Sequence, residues 1–165
     1  MNILAVDPGT RFLGYAVIDI ETERIMEYDM WDLRKIEQEM RFKEIQQRLI
    51  VVTTTWVIES MAVEQASRFN GNKVPELELA VATIERFARH RLPLTGNFPR
   101  SRTYHPSTWK SAIIGKPTAD KIMVRDNIRM RYPGLPEEIS DHITDAIGIG
   151  LYHLAMRKVD SNGKG

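Results

Sequence analysis

Two short apolar runs in this 165-residue chain each end in a carboxylate: Ile3-Leu4-Ala5-Val6-Asp7 and Met61-Ala62-Val63-Glu64. Such a run has no polar alternation and so no solvent face. It fits a strand covered on both sides, which requires a sheet with helices packed on its faces. Asp7-Pro8-Gly9-Thr10 breaks the first run with turn chemistry, and the stretch from Phe12 to Ile20 reads as a strand paired back on it. Glu21-Thr22-Glu23 marks the next turn, and Arg24 to Trp31 a third strand. Leu33, Ile36, Met40, Ile45 and Leu49 fall mostly at helical spacing and predict an amphipathic helix from Leu33 to about Thr55. Ser60 to Gln65 is a short buried strand, and Arg100 to His105 can form another. Helices are expected over Val74 to His90, Thr118 to Arg131 and Ser140 to Lys158, the last capped by Ser140 or Asp141 and carrying Gly148 and Gly150 for close packing on the sheet. Hairpin-linked strands followed by strands that come after helices make a mixed sheet flanked by helices, an α/β fold. The length fits one domain, residues 1–158, with a tail over 159–165 expected to be disordered.

Composition narrows the chemistry. Cysteine is absent, so there is no disulfide, no thiolate zinc site and no cysteine nucleophile. No apolar run approaches the roughly 18 residues of a membrane span. The N-terminus lacks the basic start of a secretory signal, and a cytoplasmic protein is expected. The net charge of +1 conceals segregation: residues 86–131 hold 11 Lys and Arg against 2 Asp. That basic segment is either a footprint for phosphates or a solvated helical face.

The acidic groups lie outside it. Asp7 and Glu64 close apolar strands, and Asp141, His142 and Asp145 stand on the first turns of the last helix, where residues three or four apart share a face. Each has a plainer use when taken singly: a turn residue, a solvated edge, a helix cap, a satisfied histidine. Brought together, the carboxylates repel unless a cation lies between them, and oxygen donors of this kind suit Mg²⁺ or Mn²⁺. Two such ions can activate a water and stabilise the leaving oxygen of a phosphodiester.

Four blocks then carry a resemblance. Asp7-Pro8-Gly9-Thr10-Arg11-Phe12-Leu13-Gly14-Tyr15-Ala16-Val17-Ile18, Ala62-Val63-Glu64-Gln65, the basic block Tyr104-His105-Pro106-Ser107-Thr108-Trp109-Lys110 with Gly115-Lys116 and Ala119-Asp120-Lys121, and Asp141-His142-Ile143-Thr144-Asp145-Ala146-Ile147 occur in order. Together they resemble the RuvC-type Holliday junction resolvases. The resemblance implies an RNase H-like fold with a mixed five-stranded sheet. It implies a homodimer that nicks two strands of like polarity in a four-way DNA junction, leaving 5′-phosphates, with no small-molecule cofactor and no membrane. The metal and catalytic set would be Asp7, Glu64, His142 and Asp145, with Mg²⁺ or Mn²⁺ bound as two ions, and histidine in place of a carboxylate would favour manganese. Protonation of His142 in mild acid would release the metal. Lys110 and Lys121 match the family's two functional lysines. The DNA-contacting set would be Arg68, Phe69, Asn70, Lys73, Arg100, Arg102, Lys110, Lys116 and Lys121, with Phe69 available to stack on a base. Two rival readings share parts of this pattern: another RNase H-like nuclease acting on branched DNA or RNA–DNA hybrids, and a non-catalytic branched-DNA-binding protein. An actin-like small-molecule kinase shares only the glycine-bearing opening and needs a much longer chain.

Overall fold

All six residues of the first strand, β1 (Asn2–Asp7), are buried, as a run without a polar face requires. The computed structural model describes residues 1–66, 74–93 and 98–162. After β1 come β2 (Phe12–Asp19), β3 (Ile25–Asp32), α1 (Gln38–Thr55), β4 (Ile58–Glu64), α2 (Pro75–Arg91), β5 (Ser101–Tyr104), α3 (Pro106–Ile114), α4 (Lys121–Arg131) and α5 (Asp141–Asn162). The strands form one five-stranded sheet in the order β3-β2-β1-β4-β5. β2 pairs antiparallel with β1 and β3, while β4 lies parallel to both β1 and β5, so the sheet is mixed as expected.

Strand alternation sorts the side chains into two cores. Leu4, Val6, Met61 and Val63 pack with residues of α1 and α2 on one face, and Ile3, Ala5 and Ala62 pack with α3, α4 and α5 on the other. Continuing the period of two places Asp7 and Glu64 on the α5 face, at the ends of neighbouring parallel strands.

Several boundaries differ from the sequence expectation. Leu33 is buried but not helical: its N–H donates to the Arg11 carbonyl, and Asp32 caps the turn by accepting from the Arg34 N–H, so α1 begins only at Gln38. The helix α3 was not anticipated, because Pro106 follows a strand and Trp109 is its only fully buried residue; Pro106 opens it, and the His105 side chain accepts from the Ser107 N–H. At α5, Ser140 stands at the N-cap position, its carbonyl accepting from the Ile143 and Thr144 N–H groups. The Ser140 hydroxyl donates to the Met30 sulfur at 3.2 Å, and Asp141 turns to Lys121. The helix continues to Asn162, past the expected end at Lys158.

α5 lies across β1, β2 and β4, and two features hold it there. At its far end His153 is fully buried, its two ring nitrogens bonding Ser60 Oγ and Tyr104 OH at 2.8 Å each. Burial, then the charges of Arg102 and Arg157, push this imidazole down to about 3, so it stays neutral and fixed as one donor and one acceptor. At its near end the His142 backbone meets Gly14 of β2, where a Cβ would overlap the His142 carbonyl. Among the described residues no helix is long and apolar enough to cross a membrane.

Gly14→Ala is therefore expected to lift the start of α5 and to lower stability by about 1–3 kcal/mol, the usual cost of overpacking, as measured by chemical denaturation.

Candidate active site

The acidic groups that lie far apart in sequence converge at one end of the sheet. Asp7 and Glu64 stand beyond the Val6–Val63 pair, and the first turns of α5 bring Asp141, His142 and Asp145 over them. An open cleft of about 790 Å³ is lined by these five groups together with Lys121 and the Pro8-Gly9-Thr10-Arg11-Phe12 turn.

His142 Nδ1–H donates to Asp7 Oδ2 at 2.6 Å, the shortest link within the set. The Phe12 ring lies 6.0 Å from the imidazole centroid, with the Arg34 guanidinium on it at 4.7 Å. The Trp109 indole N–H donates to Glu64 Oε2 at 2.8 Å. Lys121, at the start of α4, pairs with Asp141 at 3.2 Å. Lys110, on α3, bonds the Ala119 carbonyl at 3.3 Å, and its charge reaches Asp7, Glu64 and Asp145. Lys116 is exposed between α3 and α4. The structure thus gathers Asp7, Glu64, His142, Asp145, Lys110 and Lys121. Asp141, the first helical residue, is a rim group paired with a lysine.

Two expected DNA contacts face elsewhere. Arg102 pairs with Asp160 at 2.6 Å and stacks on Phe98 at 4.6 Å. Asp160 lies about 22 Å along the helix axis from Asp145, at 1.5 Å per residue. Arg100 donates to the Arg89 carbonyl at the end of α2. Arg100 thus ties β5 to α2, and Arg102 ties β5 to α5. Arg68, Phe69, Asn70 and Lys73 lie outside the described residues. Trp109 had no expected role, although it stands directly before Lys110 in the basic block.

The electrostatics follow from burial. Desolvation, then the charge of Asp7, pushes Glu64 up to about 8, against the Trp109 hydrogen bond. Desolvation and Asp7 push Asp145 up to about 7, against Lys110 and His142. Asp7 is raised by burial and held back by the His142 hydrogen bond and the nearby cations. His142 is raised mainly by its bond to Asp7. Among the described residues no three of these groups stand close enough to hold a metal ion as they are placed. Their chemistry nonetheless fits a hard divalent cation: three carboxyls and one imidazole face one cleft, and a cation there would favour the ionised carboxylates that burial disfavours.

These raised values set the pH dependence of the metal-free protein. A group whose pKa is higher in the folded state stabilises the fold below its unfolded value and loses that contribution as pH rises through the folded value. Stability is therefore expected to fall from about pH 4 to about pH 8 as Asp145 and Glu64 ionise, and Glu64→Gln should flatten that slope; thermal unfolding across the range checks both.

Comparison with known proteins places the chain in a family. The family model for crossover junction endodeoxyribonuclease RuvC matches residues 3–153. The chain is 27% identical over 158 residues to that enzyme from a Nitratiruptor species, covering 93% of this chain and 95% of the relative. It is 29% identical over 157 residues to the one from Akkermansia muciniphila, covering 93% and 90%. The Thermus thermophilus RuvC in complex with Holliday junction substrate superposes with a TM-score of 0.79 at 22% identity, covering 98% of this chain and 97% of that one. The yeast mitochondrial Holliday junction resolvase superposes at 0.58 with 17% identity, covering 97% and 81%. With the family model spanning nearly the whole chain and the RNase H-like fold shared, this chain belongs to the RuvC family of crossover junction endodeoxyribonucleases.

Proposed function

We propose that this protein resolves four-way DNA junctions by paired, metal-dependent nicks that leave 5′-phosphates, and that Asp7, Glu64, His142 and Asp145 hold the metal, Mg²⁺ or Mn²⁺, as two ions per site. The observation that carries this reading is the convergence of those four groups in one open cleft with Lys110 and Lys121 beside them. Bound there, two such ions supply an activated water and a stabilised leaving oxygen for in-line displacement.

The chain's own residues do the rest. Asp7, the most buried of the acids, is held by His142 Nδ1–H, and the neutral imidazole then has its Nε2 lone pair to offer a cation, which the protonated ring lacks. Ligation by His142 is thus favoured as pH rises, and imidazole tilts the donor set towards manganese. Lys110 and Lys121 place ammonium groups at the cleft, where they stabilise charge building on the transferring phosphate, and exposed Lys116 adds a phosphate contact. The family resemblance assigns further DNA contacts to Arg68, Phe69, Asn70 and Lys73, with Phe69 stacking on a base. Two symmetric nicks need two sites related by a two-fold axis, hence a homodimer acting on chromosomal or phage DNA in the cytoplasm.

The test labels each strand of a synthetic four-way junction and, in parallel, a plain duplex and an RNA–DNA hybrid. Symmetric cutting of the junction alone is expected in Mg²⁺ or Mn²⁺. Cutting of the hybrid but not the junction would overturn the reading, and so would junction binding with no cleavage in either metal. Asp7→Asn is expected to abolish cutting and leave junction binding intact, while Lys110→Ala should slow cutting by about 100- to 1,000-fold, as loss of one transition-state donor does.

A further inference from the structure

Glu64 is held by a donor that cannot titrate. The Trp109 indole N–H donates to Glu64 Oε2 at 2.8 Å from a ring that is completely buried. That ring lies against Gly148 of α5, where a Cβ would overlap Cζ3 and come within 3.0 Å of Cε3. Gly148 is three residues beyond Asp145, so both lie on the same side of the helix. The Lys110 ammonium, carried by the next residue, lies 5.4 Å from the centroid of the same ring. One side chain therefore touches the end of β4, the face of α5 that carries Asp145, and the lysine beside the acids.

We propose that Trp109 is a positioning residue for phosphodiester cleavage: its N–H fixes one oxygen of Glu64, and its ring, wedged on Gly148, sets the spacing between Glu64 on β4 and the His142–Asp145 pair on α5. The proposal rests on the cleavage reading above. An indole donates and cannot accept, so it never competes with the carboxylates as a ligand. It takes one acceptor position on Oε2 and so restrains the rotation of the Glu64 carboxyl group, while leaving lone pairs on both oxygens for a cation. A tryptophan kept only to fill space needs the ring and not the N–H. A phenylalanine at this place keeps an aromatic ring in the pocket, loses the bond to Glu64 and gives up part of the outer ring that meets Gly148, so the stability measurement is needed beside the cutting rate.

Two measurements on the full-length protein decide the matter. Trp109→Phe is expected to bind a four-way junction in Ca²⁺ with unchanged Kd, to unfold within a few degrees of the parent protein, and to cut about 10- to 100-fold more slowly, the loss typical of a misplaced reacting group. An unchanged cutting rate would overturn the proposal, as would a loss of cutting matched by an equal loss of junction affinity, the mark of a merely structural role. In the second measurement, the Trp109 indole N–H resonance is identified among the three tryptophans by its absence from Trp109→Phe. It should move in Glu64→Gln; an unmoved resonance means the contact does not exist. If the parent protein cuts no junction at all, the function fails, while the resonance still decides whether Trp109 holds Glu64.

Discussion

Everything at the cleft follows from placing Asp7, Glu64 and Asp145 where water reaches them poorly and each feels another's charge. Desolvation opposes the ionisation of all three, and Asp7 pushes the other two further up. A structure with this much mutual repulsion needs compensation, and each compensating group is identifiable. His142 bonds Asp7, Trp109 bonds Glu64, and Lys110 acts on all three acids through its charge. These partners only reduce the conflict, since Glu64 remains near 8 and Asp145 near 7. A divalent cation would remove what is left, and would make the site ready for phosphodiester chemistry in the same step.

α5 is the element that turns this local conflict into a built site. Its contact at Gly14 lets the His142 backbone lie directly on β2, and the seat at Gly148 receives the indole that reaches Glu64. Gly150 plays the same part against the sheet, with Ile18 Cδ1 and Ala5 Cβ 2.6 and 3.0 Å from where its Cβ would be. At the other end the neutral His153 ties the helix to Ser60 on β4 and Tyr104 on β5. Because Ser60 and Glu64 share a strand, and His153 and Asp145 share a helix, that buried lock sets the register of two of the acids from a distance. The arginines Arg100 and Arg102, and the pair Arg157–Glu59, belong to this packing end of the molecule and not to the cleft.

The clustering of the acidic groups was largely legible in the sequence, because it depends on periodicity and strand ends. Two apolar runs ending in carboxylates mark two buried strands; the structure makes them parallel neighbours, and a period of two then puts Asp7 and Glu64 on one face. The spacing of His142 and Asp145 puts both on one helical face. What the sequence left hidden depends on tertiary geometry. Trp109 carries no periodic signal that distinguishes a core tryptophan from one whose N–H reaches a carboxylate. α3 is short, begins with a proline and has one fully buried residue, so no stripe announces it. Arg100 and Arg102 count as basic in any sum over the chain, yet their partners, the Arg89 carbonyl and Asp160, come from other elements. Leu33 sits at helical spacing with Ile36 and Met40 but is buried as part of the turn that follows β3.

The central claim is that the cleft holds carboxyl groups kept partly protonated by burial, and that a divalent cation ionises them. Titration calorimetry of Mg²⁺ or Mn²⁺ into the protein, in two buffers of different ionisation enthalpy, counts the protons displaced on binding. Near pH 7 the release of about one proton or more per chain is expected, shrinking towards zero as pH rises past the values of Asp145 and Glu64. Metal binding without proton release near pH 7 would contradict the claim, because it would mean that the acids were already ionised before the cation arrived.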